Sequence, residues 1–420
     1  MQEGYNSTER LIAKLLSNTP VLKRFLKKTY QTINYIIYHR PYKYKSDFEI
    51  VQLGDDTESF FGYYDKSPVN QNGKYMIYHK SSYPSNKKPV ADQPISVVLY
   101  DLMQHKEICL FPSSAWNWQQ GTKLQWISAS RFIFNDYDKE RDIYISKIVN
   151  AENGEIEKVI DFPVYEAGED FAISLNFSLL NLMRPDYGYR NMKSYHEHKQ
   201  SEDGICWIDF KSNSSKLLLS LDDCIHLHAR QNMNNARHWI NHIMLAPDQK
   251  HFIFLHRWNK DGRKYDALIL SDLAGKELRC LADDDMVSHC CWINNTEIIA
   301  YMRAKNSGDK YYRINIVTGS REILGKGIID NYGDGHPGVY DQMLLFDTYP
   351  NKARMKELFV FDMNTAKIVK LAEFFESLCY YGETRCDLHP RWSPDGKEVF
   401  FDSVHSGKRH LYKLIIGDQK

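Results

Sequence analysis

Four histidines occupy one register of a repeated sequence unit, and their spacing is the strongest chemical signal in the chain. They are His242, His289, His336 and His389, separated by 47, 47 and 53 residues (289−242, 336−289 and 389−336). Neutral imidazoles that converge from adjacent strands suit a borderline divalent metal such as Mn²⁺ or Zn²⁺, and an open coordination position admits a substrate oxygen. The alternative is acid–base catalysis by one or two of these histidines without a metal.

Residues near this register suit the binding of carboxylates and sugar rings. Guanidinium groups bind carboxylates through two parallel hydrogen bonds. Aromatic rings of the loop Phe60–Tyr64 could stack on a sugar, although core packing is the commoner role of a single aromatic residue. The candidate substrate-binding residues are Arg237, Arg257, Arg303, Arg391, Tyr64 and Asp387.

The elements that must position these residues are hairpins built on one motif, which is best preserved in Asp387–Lys397. In its segment Trp-Ser-Pro-Asp-Gly-Lys, the proline presets φ and the glycine takes a positive φ, so a tight turn joins two short strands. Degenerate copies upstream bring the number of units to seven. The aligned positions are Lys66, Lys123, Ser174, His242, His289, His336 and His389.

A third strand and usually a fourth follow each hairpin, and four strands per repeated unit are typical of a propeller blade. We therefore predict an all-β fold, a seven-bladed β-propeller over residues 47–420, whose innermost strands line a central tunnel. The seventh unit ends without a fourth strand, whereas Asp47–Leu53 reads as a strand with no hairpin of its own. Residues 47–54 are predicted to close the ring on the outer edge of the last blade.

Residues 1–46 are predicted to form a basic amphipathic helical extension. A short helix is expected over residues 6–17, opened by a capping box, and a longer one over residues 20–40, which Pro41 ends. Apolar residues fall at helical spacing on one face of the longer helix, and its lysines lie off that face. The apolar face could pack on the propeller, lie in the plane of an anionic membrane surface through residues 7–40, or dock on a partner protein.

The bulk composition argues against several classes of protein. The 54 basic and 54 acidic residues balance, and the ring shows neither a basic patch nor a glycine-rich phosphate loop, so we expect no nucleic-acid partner. The eight cysteines form no CxxC pair, and the N-terminus lacks an apolar segment of the length of a signal peptide or membrane span. These features favour a reducing, cytoplasmic setting.

The repeats that carry Trp-Ser-Pro-Asp-Gly-Lys resemble the TolB-type β-propeller repeat. A seven-bladed propeller with histidines on successive inner strands is similar to the oligogalacturonate lyase family of pectin-degrading enzymes, over about residues 47–420. In that family, three histidines and a glutamine hold Mn²⁺ in the tunnel mouth. The resemblance implies that the metal-binding wall of this chain consists of His242, His289, His336 and His389, with a histidine in place of the glutamine.

The resemblance also implies β-elimination on a uronate-containing oligosaccharide or polysaccharide. A metal on the carboxylate would stabilise the charge that develops while a base removes the adjacent proton, and the candidate bases are Lys66, Lys123 and Arg184. Two alternatives stay open. One is a glycosyltransferase or modifying protein of capsule or lipopolysaccharide biosynthesis on the inner membrane face, which the basic helix favours. The other is a non-catalytic binding or scaffold propeller, because this fold alone does not determine function.

Overall fold

Seven antiparallel sheets form the blades of a propeller. The computed structural model describes residues 20–417, with side chains from residue 26 onward. The predicted fold class, an all-β seven-bladed β-propeller with an N-terminal helix, is confirmed. Within each blade the strands pair in chain order, so the first strand of each unit lies innermost.

Two strands, β1 (Tyr44–Ser46) and β2 (Glu49–Gln52), precede the first blade. Blade 1 comprises β3 (Glu58–Phe60), β4 (Tyr75–Ser81), β5 (Ile95–Asp101) and β6 (Lys106–Ser113). Blade 2 comprises β7 (Gln125–Trp126), β8 (Arg131–Asp138), β9 (Ile143–Asn150) and β10 (Glu155–Ile160). Blade 3 comprises β11 (Glu166–Ala167), β12 (Phe171–Leu175), β13 (Gly204–Asp209) and β14 (Ser214–Ser220).

Blade 4 comprises β15 (Arg237–Leu245), β16 (His251–Lys260), β17 (Arg263–Asp272) and β18 (Leu278–Ala282). Blade 5 comprises β19 (Val287–Trp292), β20 (Glu297–Ala304), β21 (Gly308–Asn315) and β22 (Arg321–Ile323). Blade 6 comprises β23 (Gly338–Tyr340), β24 (Met343–Asp347), β25 (Met355–Asp362) and β26 (Lys367–Phe375). Blade 7 has three strands of its own, β27 (Arg391–Trp392), β28 (Glu398–Ser403) and β29 (His410–Ile415).

The turn between β27 and β28 forms as its sequence predicts. Gly396 has a φ of +71°, and its N–H donates to the Ser393 carbonyl at 3.0 Å. A Cβ atom at this position would lie 2.2 Å from the Tyr340 ring of the neighbouring blade. Both the backbone conformation and the contact with the next blade therefore require glycine.

Strand β2 supplies the fourth strand of blade 7. It pairs antiparallel with β29, with Glu49 opposite Ile415, and the Leu53 N–H donates to the Leu411 carbonyl at 2.9 Å. Strand β1, which the sequence did not predict, pairs with β26 and adds a fifth strand to blade 6. Two consecutive segments near the N-terminus thus cover the outer edges of the last two blades.

The N-terminal helix α1 (Pro20–Tyr38) leads directly into these edge strands. Two shorter helices, α2 (Phe177–Met183) and α3 (Leu221–Leu227), lie in the connections of blades 3 and 4. The helix expected over residues 6–17 lies outside the described residues. Within residues 20–417, no helix combines the length and the apolar character that crossing a membrane requires.

The hairpin predicted at Ser174 is wrong. Strand β12 ends at Leu175, and Asn176 then caps α2, because its side chain accepts the N–H groups of Ser178 and Leu179. The inner strand of blade 3 is β11, which has two residues only. The position equivalent to His389, three residues before the end of the inner strand, belongs to Val164 in this blade.

Candidate functional site

The aligned position of the repeated hairpins has an unusual backbone conformation in several blades. Lys123, His242 and His389 have φ values of +54°, +53° and +45°. Non-glycine residues rarely adopt this left-handed conformation. Its recurrence in three blades shows that these inner strands share one local geometry, three residues before each of them ends.

The four histidines of blades 4 to 7 form a continuous row around the tunnel. The centres of the His242 and His289 rings are 5.8 Å apart, those of His289 and His336 are 4.2 Å apart, and those of His336 and His389 are 4.4 Å apart. None of the four residues is more than 5% exposed. The structure therefore brings together the histidines that the sequence aligned.

Two of these histidines, His336 and His389, each have a buried ring nitrogen without a hydrogen-bond partner among the described residues. His336 Nδ1 lies 2.8 Å from a carboxylate oxygen of Asp347, and His389 Nδ1 lies 2.7 Å from the Gly62 carbonyl oxygen. Both Nε2 atoms are buried and have no hydrogen-bond partner among the described residues. Ligand atoms of His336, His389 and Asp387 all lie within 4.8 Å of one another, so these three residues could hold a metal ion.

The electrostatics of this cluster follow from burial and from its acidic partners. Burial raises the pKa of Asp387, but Arg385 and His336 outweigh burial and hold that pKa below its usual range. Burial disfavours a charged His336, yet Asp347 outweighs it and raises the pKa of that imidazole. Burial lowers the pKa of His389 well below its ordinary value. An ionised carboxylate and a neutral His389 suit metal binding.

The other two histidines have different partners. His289 Nδ1 lies 3.1 Å from a carboxylate oxygen of Asp334, and burial lowers the pKa of His289 although Asp334 opposes it. His242 Nδ1 lies 2.5 Å from the Tyr63 hydroxyl, and the two rings stack. His289 is thus a carboxylate-oriented imidazole beside the cluster, whereas His242 is tied to a tyrosine.

Tyr63 and Tyr64 extend from blade 1 across the tunnel to the histidines. The Tyr64 hydroxyl donates to the Cys290 carbonyl at 2.9 Å and accepts the Cys290 N–H at 3.1 Å. The centre of the Tyr64 ring lies 5.7 Å from that of His289 and 5.3 Å from that of His336. Tyr64, predicted to stack on a sugar, is only 3% exposed and packs against the histidine row.

Cationic side chains gather beside His242. The Arg184 guanidinium makes two hydrogen bonds to Asp186, at 3.1 and 3.0 Å, and Arg385 donates to the same carboxylate at 2.7 Å. Both guanidinium groups lie over the Tyr187 ring, at 4.7 and 5.6 Å from its centre, and that ring makes an edge contact with His242. This group, the Arg184–Arg385 rim, could bind an anionic substrate.

Arg257 and Lys264 add positive charge near His242. Burial lowers the pKa of His242 well below its ordinary value, and repulsion from Arg257, Arg184 and Lys264 lowers it further. Arg257 is buried at 2.9 Å from Asp266. Repulsion from Arg257, together with burial, lowers the pKa of Lys264 to about 8.

The predicted bases Lys66 and Lys123 belong to a separate charge cluster, in which Lys123 and Glu166 are buried and the Lys66 side chain is 29% exposed. Lys66 Nζ donates to Glu166 at 2.6 Å, and Lys123 Nζ lies 3.8 Å from Glu166 and 3.9 Å from Asp65. Lys123 also lies over the Tyr165 ring, 3.9 Å from its centre. Both lysines are therefore engaged by carboxylates, at blades 1 to 3 rather than beside His336 and His389.

Of the predicted substrate-binding arginines, Arg237 and Arg303 lie away from the cluster of His336, His389 and Asp387, whereas the Arg391 guanidinium donates to the His389 carbonyl oxygen at 2.8 Å. Arg391 is buried, pairs with Asp402 at 3.0 Å and lines a cavity of about 280 Å³ together with Tyr64, Lys66 and Trp392. Arg237 is 47% exposed at its side chain and pairs with Glu197. Arg303 is 42% exposed and pairs with Asp309 across the β20–β21 hairpin.

Sequence reasoning missed several groups that complete the site. Asp334 and Asp347 orient His289 and His336, and Arg385 binds Asp387 at 2.7 Å. The signal for Arg385 was its position two residues before Asp387, which lets the guanidinium reach that carboxylate. No comparable signal identified Asp334, because it lies in a loop outside the repeated motif.

Comparison with solved structures shows the same fold in carbohydrate-active proteins. An oligogalacturonate lyase in complex with manganese is 16% identical to this chain, with a TM-score of 0.57 over 91% of this chain and 96% of that one. An oligogalacturonate lyase from Vibrio parahaemolyticus is 13% identical, with a TM-score of 0.54 over 89% and 97% of the two chains. The predicted resemblance is thus confirmed for the fold.

Other solved structures match less well, and two further comparisons found no match. The tricorn protease matches with a TM-score of 0.47 and 11% identity, over 88% of this chain and 36% of that one. No protein-family model matches the chain, and no curated protein sequence matches it. The chain is therefore a seven-bladed β-propeller similar in fold to oligogalacturonate lyases.

Proposed function

We propose that this chain is a metal-dependent carbohydrate-active enzyme that carries out β-elimination on a uronate-containing oligosaccharide or polysaccharide. The observation that supports this most strongly is the pair of buried, unpartnered nitrogens, His336 Nε2 and His389 Nε2, beside Asp387. Buried polar atoms normally have a hydrogen-bond partner. Two orphaned imidazole nitrogens next to a carboxylate fit the donor set of a divalent metal.

His336, His389 and Asp387 would hold the metal, and we propose Mn²⁺ or Zn²⁺, since one of the similar solved structures contains manganese. When bound, such an ion supplies Lewis-acid stabilisation of the negative charge on a substrate carboxylate. The Nδ1 partners of the two histidines, Asp347 and Gly62, fix the ring orientations that leave Nε2 available. Asp387 adds an anionic oxygen to the site.

His289 is the base that we propose. Its Nδ1 is held by Asp334, which leaves Nε2 to accept the proton adjacent to the substrate carboxyl group and lets Asp334 stabilise the resulting imidazolium. Burial lowers the pKa of His289, so the imidazole is neutral and able to accept a proton near neutral pH. Lys66 and Lys123 are engaged by Glu166.

The Arg184–Arg385 rim would bind the anionic glycan. A guanidinium does not lose its proton in a protein, so we assign Arg184 to binding rather than to the base role. The rim also brings Asp186 and the Tyr187 ring to the mouth of the site. Opposed charges and an aromatic face are suited to a uronate sugar.

Metal analysis and a lyase assay test the proposal. His336→Ala with His389→Ala should lose bound Mn²⁺ or Zn²⁺ and the ultraviolet absorbance of the unsaturated product, formed from a panel of uronate polymers. His289→Ala should keep the metal and lose roughly 10²–10⁴-fold in kcat. The matched control is His251→Ala, a half-buried histidine that pairs with Glu277 on blade 4, and it should change neither property.

Two results would contradict the proposal. If the double variant retains the metal stoichiometry of the unaltered protein, these residues are not its ligands. If the metal-loaded protein forms no unsaturated product from any uronate polymer tested, the proposed β-elimination is wrong, although the proposed metal site is not refuted.

A second candidate is a glycosyltransferase or modifying protein of cell-surface polysaccharide at the inner face of the membrane. One observation favours it, the apolar side chains that α1 exposes to solvent. Transfer of sugar from an activated donor to a glycan acceptor, without an unsaturated product, would distinguish this candidate from a lyase. Metal binding without either activity would instead point to a binding propeller.

A further inference from the structure

Helix α1 turns its apolar face away from the propeller. Among its side chains, Ile36, Ile37 and Ile33 are 65%, 64% and 51% exposed. Tyr30 and Leu26, one and two turns before Ile33, are 38% and 40% exposed. These residues recur at helical spacing, so they form one continuous stripe, the α1 apolar stripe.

Polar and aromatic residues on the opposite side of α1 contact the ring. Asn34 is 9% exposed, and the Tyr35 ring lies 5.4 Å from the Phe375 ring at the end of β26. The helix is also held by β1, which follows it and pairs with β26. The orientation of α1 is therefore fixed by contacts with blade 6, and burial on the propeller does not account for the apolar stripe.

Positive charge accompanies the stripe. The segment 20–46 carries no acidic residue and seven basic ones, Lys23, Arg24, Lys27, Lys28, Arg40, Lys43 and Lys45. Lys27, Lys28 and Arg40 are exposed. A net charge of +7 on so short a segment opposes close approach of a second copy of the same surface and favours an anionic partner.

We propose that the α1 apolar stripe binds the surface of a bilayer that contains anionic phospholipids, with the helix in the plane of the membrane. An apolar face beside lysine and arginine is the pattern of interfacial helices, and basic residues near the surface are attracted to anionic headgroups. The long aliphatic parts of the lysine side chains let their charges reach the headgroups while the isoleucines enter the acyl region.

The position of α1 relates this surface to the histidine site. Strand β26 runs toward Phe375, where α1 packs, and the chain then continues through residues 376–388 to His389 at the start of the inner strand of blade 7. The helix thus lies at the outer rim of the ring, at the same end as the histidines. Membrane binding would hold the mouth of the site near the bilayer, whichever reaction the site performs.

Vesicle flotation with the full chain tests the proposal. Binding is expected to vesicles of phosphatidylcholine with phosphatidylglycerol, and to be much weaker to phosphatidylcholine alone. Ile33→Glu with Ile36→Glu should abolish binding to both. Lys27→Gln with Lys28→Gln should weaken binding to the anionic vesicles by about fivefold per lysine.

The matched control is Val317→Glu, which places the same charge at an apolar residue that is 66% exposed on blade 5, and it should bind as the unaltered protein does. Thermal unfolding of each variant checks that the fold is retained, as exposed positions should allow. Vesicle binding that survives Ile33→Glu with Ile36→Glu, or its absence from the unaltered protein, would overturn the proposal. A lipid-free dimer in sedimentation velocity that the same double variant dissociates would show that a second copy covers the stripe instead.

Discussion

Replacing Asp402 by asparagine is expected to lower the free energy of unfolding by about 3–5 kcal/mol. The Asp402 carboxylate accepts the N–H groups of Phe61 and Gly62 at 3.0 and 3.1 Å and pairs with the Arg391 guanidinium at 3.0 Å. Both side chains of the ion pair are 1% exposed. The carboxylate therefore joins blade 7 to the segment that enters the tunnel from blade 1.

The expected loss of stability is large because the substitution leaves the Arg391 charge buried. Burial raises the pKa of Asp402 and lowers that of Arg391, in each case against the attraction of the partner. Desolvation thus offsets much of the gain from pairing, and the intact pair adds little net stability. Once Asp402 is neutral, however, Arg391 is a buried charge without a counterion. Asp402→Asn combined with Arg391→Met should therefore be less destabilised than Asp402→Asn alone.

Urea unfolding measures these differences, and a metal titration adds a second measurement. Because the Gly62 carbonyl binds His389 Nδ1 at 2.7 Å, displacement of Gly62 in Asp402→Asn should weaken metal affinity by roughly 10–100-fold. The control is Asp138→Asn, which breaks a partly exposed pair with Arg141 and should cost less than about 1 kcal/mol. A loss under 1 kcal/mol in Asp402→Asn, or a double variant less stable than the single one, would refute the reasoning.

Three further predictions concern the rim, the tunnel and the ring closure. Burial raises the pKa of Asp186, but Arg184 and Arg385 outweigh it and hold that pKa at about 2, below the ordinary 3.8. The stability that a depressed pKa contributes is present above the unfolded value and is lost as pH falls through the folded one. The stability deficit of Asp186→Asn should thus shrink by roughly 2 kcal/mol between about pH 4 and pH 2, whereas a pH-independent deficit in urea titrations would contradict it. Tyr64→Phe removes both hydrogen bonds to Cys290 and should cost about 1–3 kcal/mol in the same assay; an unchanged midpoint would show that these bonds contribute nothing. Removal of residues 1–53, which deletes β2, should destabilise the whole ring in thermal unfolding, whereas removal of residues 1–46 keeps β2 and should not; equal losses would contradict the closing role of β2.

The fold could be predicted from the sequence to the extent that its hairpins are repeated. The turn residues around Gly396 and the hydrophobic strands beside them recur in most blades, so seven units could be counted. The hairpin of blade 3 was misplaced because the inner strand of this blade has only two residues, Glu166 and Ala167, and because the apolar run after Ser174 forms a helix. Strand β1 was not predicted because a segment of three residues is too short for its sequence pattern to distinguish an edge strand from a loop.

Site residues could be predicted where the register of the inner strands determines their positions. They could not be predicted where loops distant in sequence come together. Alignment of the inner strands placed His336 and His389 together, as the structure does. It could not show that Asp387 lies in the same cluster or that Asp334 reaches His289 from a loop. Arg303 was suggested as a binding residue because it lies near the end of a strand. The position of a residue along a strand shows which face of the ring it lies near, but it does not show how far the residue lies from the tunnel axis.

The order of segments near the N-terminus has a consequence for cleavage. Between β1 on blade 6 and β2 on blade 7 lie only Asp47 and Phe48, of which Asp47 is exposed. A protease that cut at this link would leave the helix and β1 held to the ring only by noncovalent contacts, chiefly the pairing of β1 with β26, while β2 stayed paired with β29. Hydrolysis of any peptide bond in this link would therefore divide the chain between the segment that carries the α1 apolar stripe and the closed ring, without opening the ring.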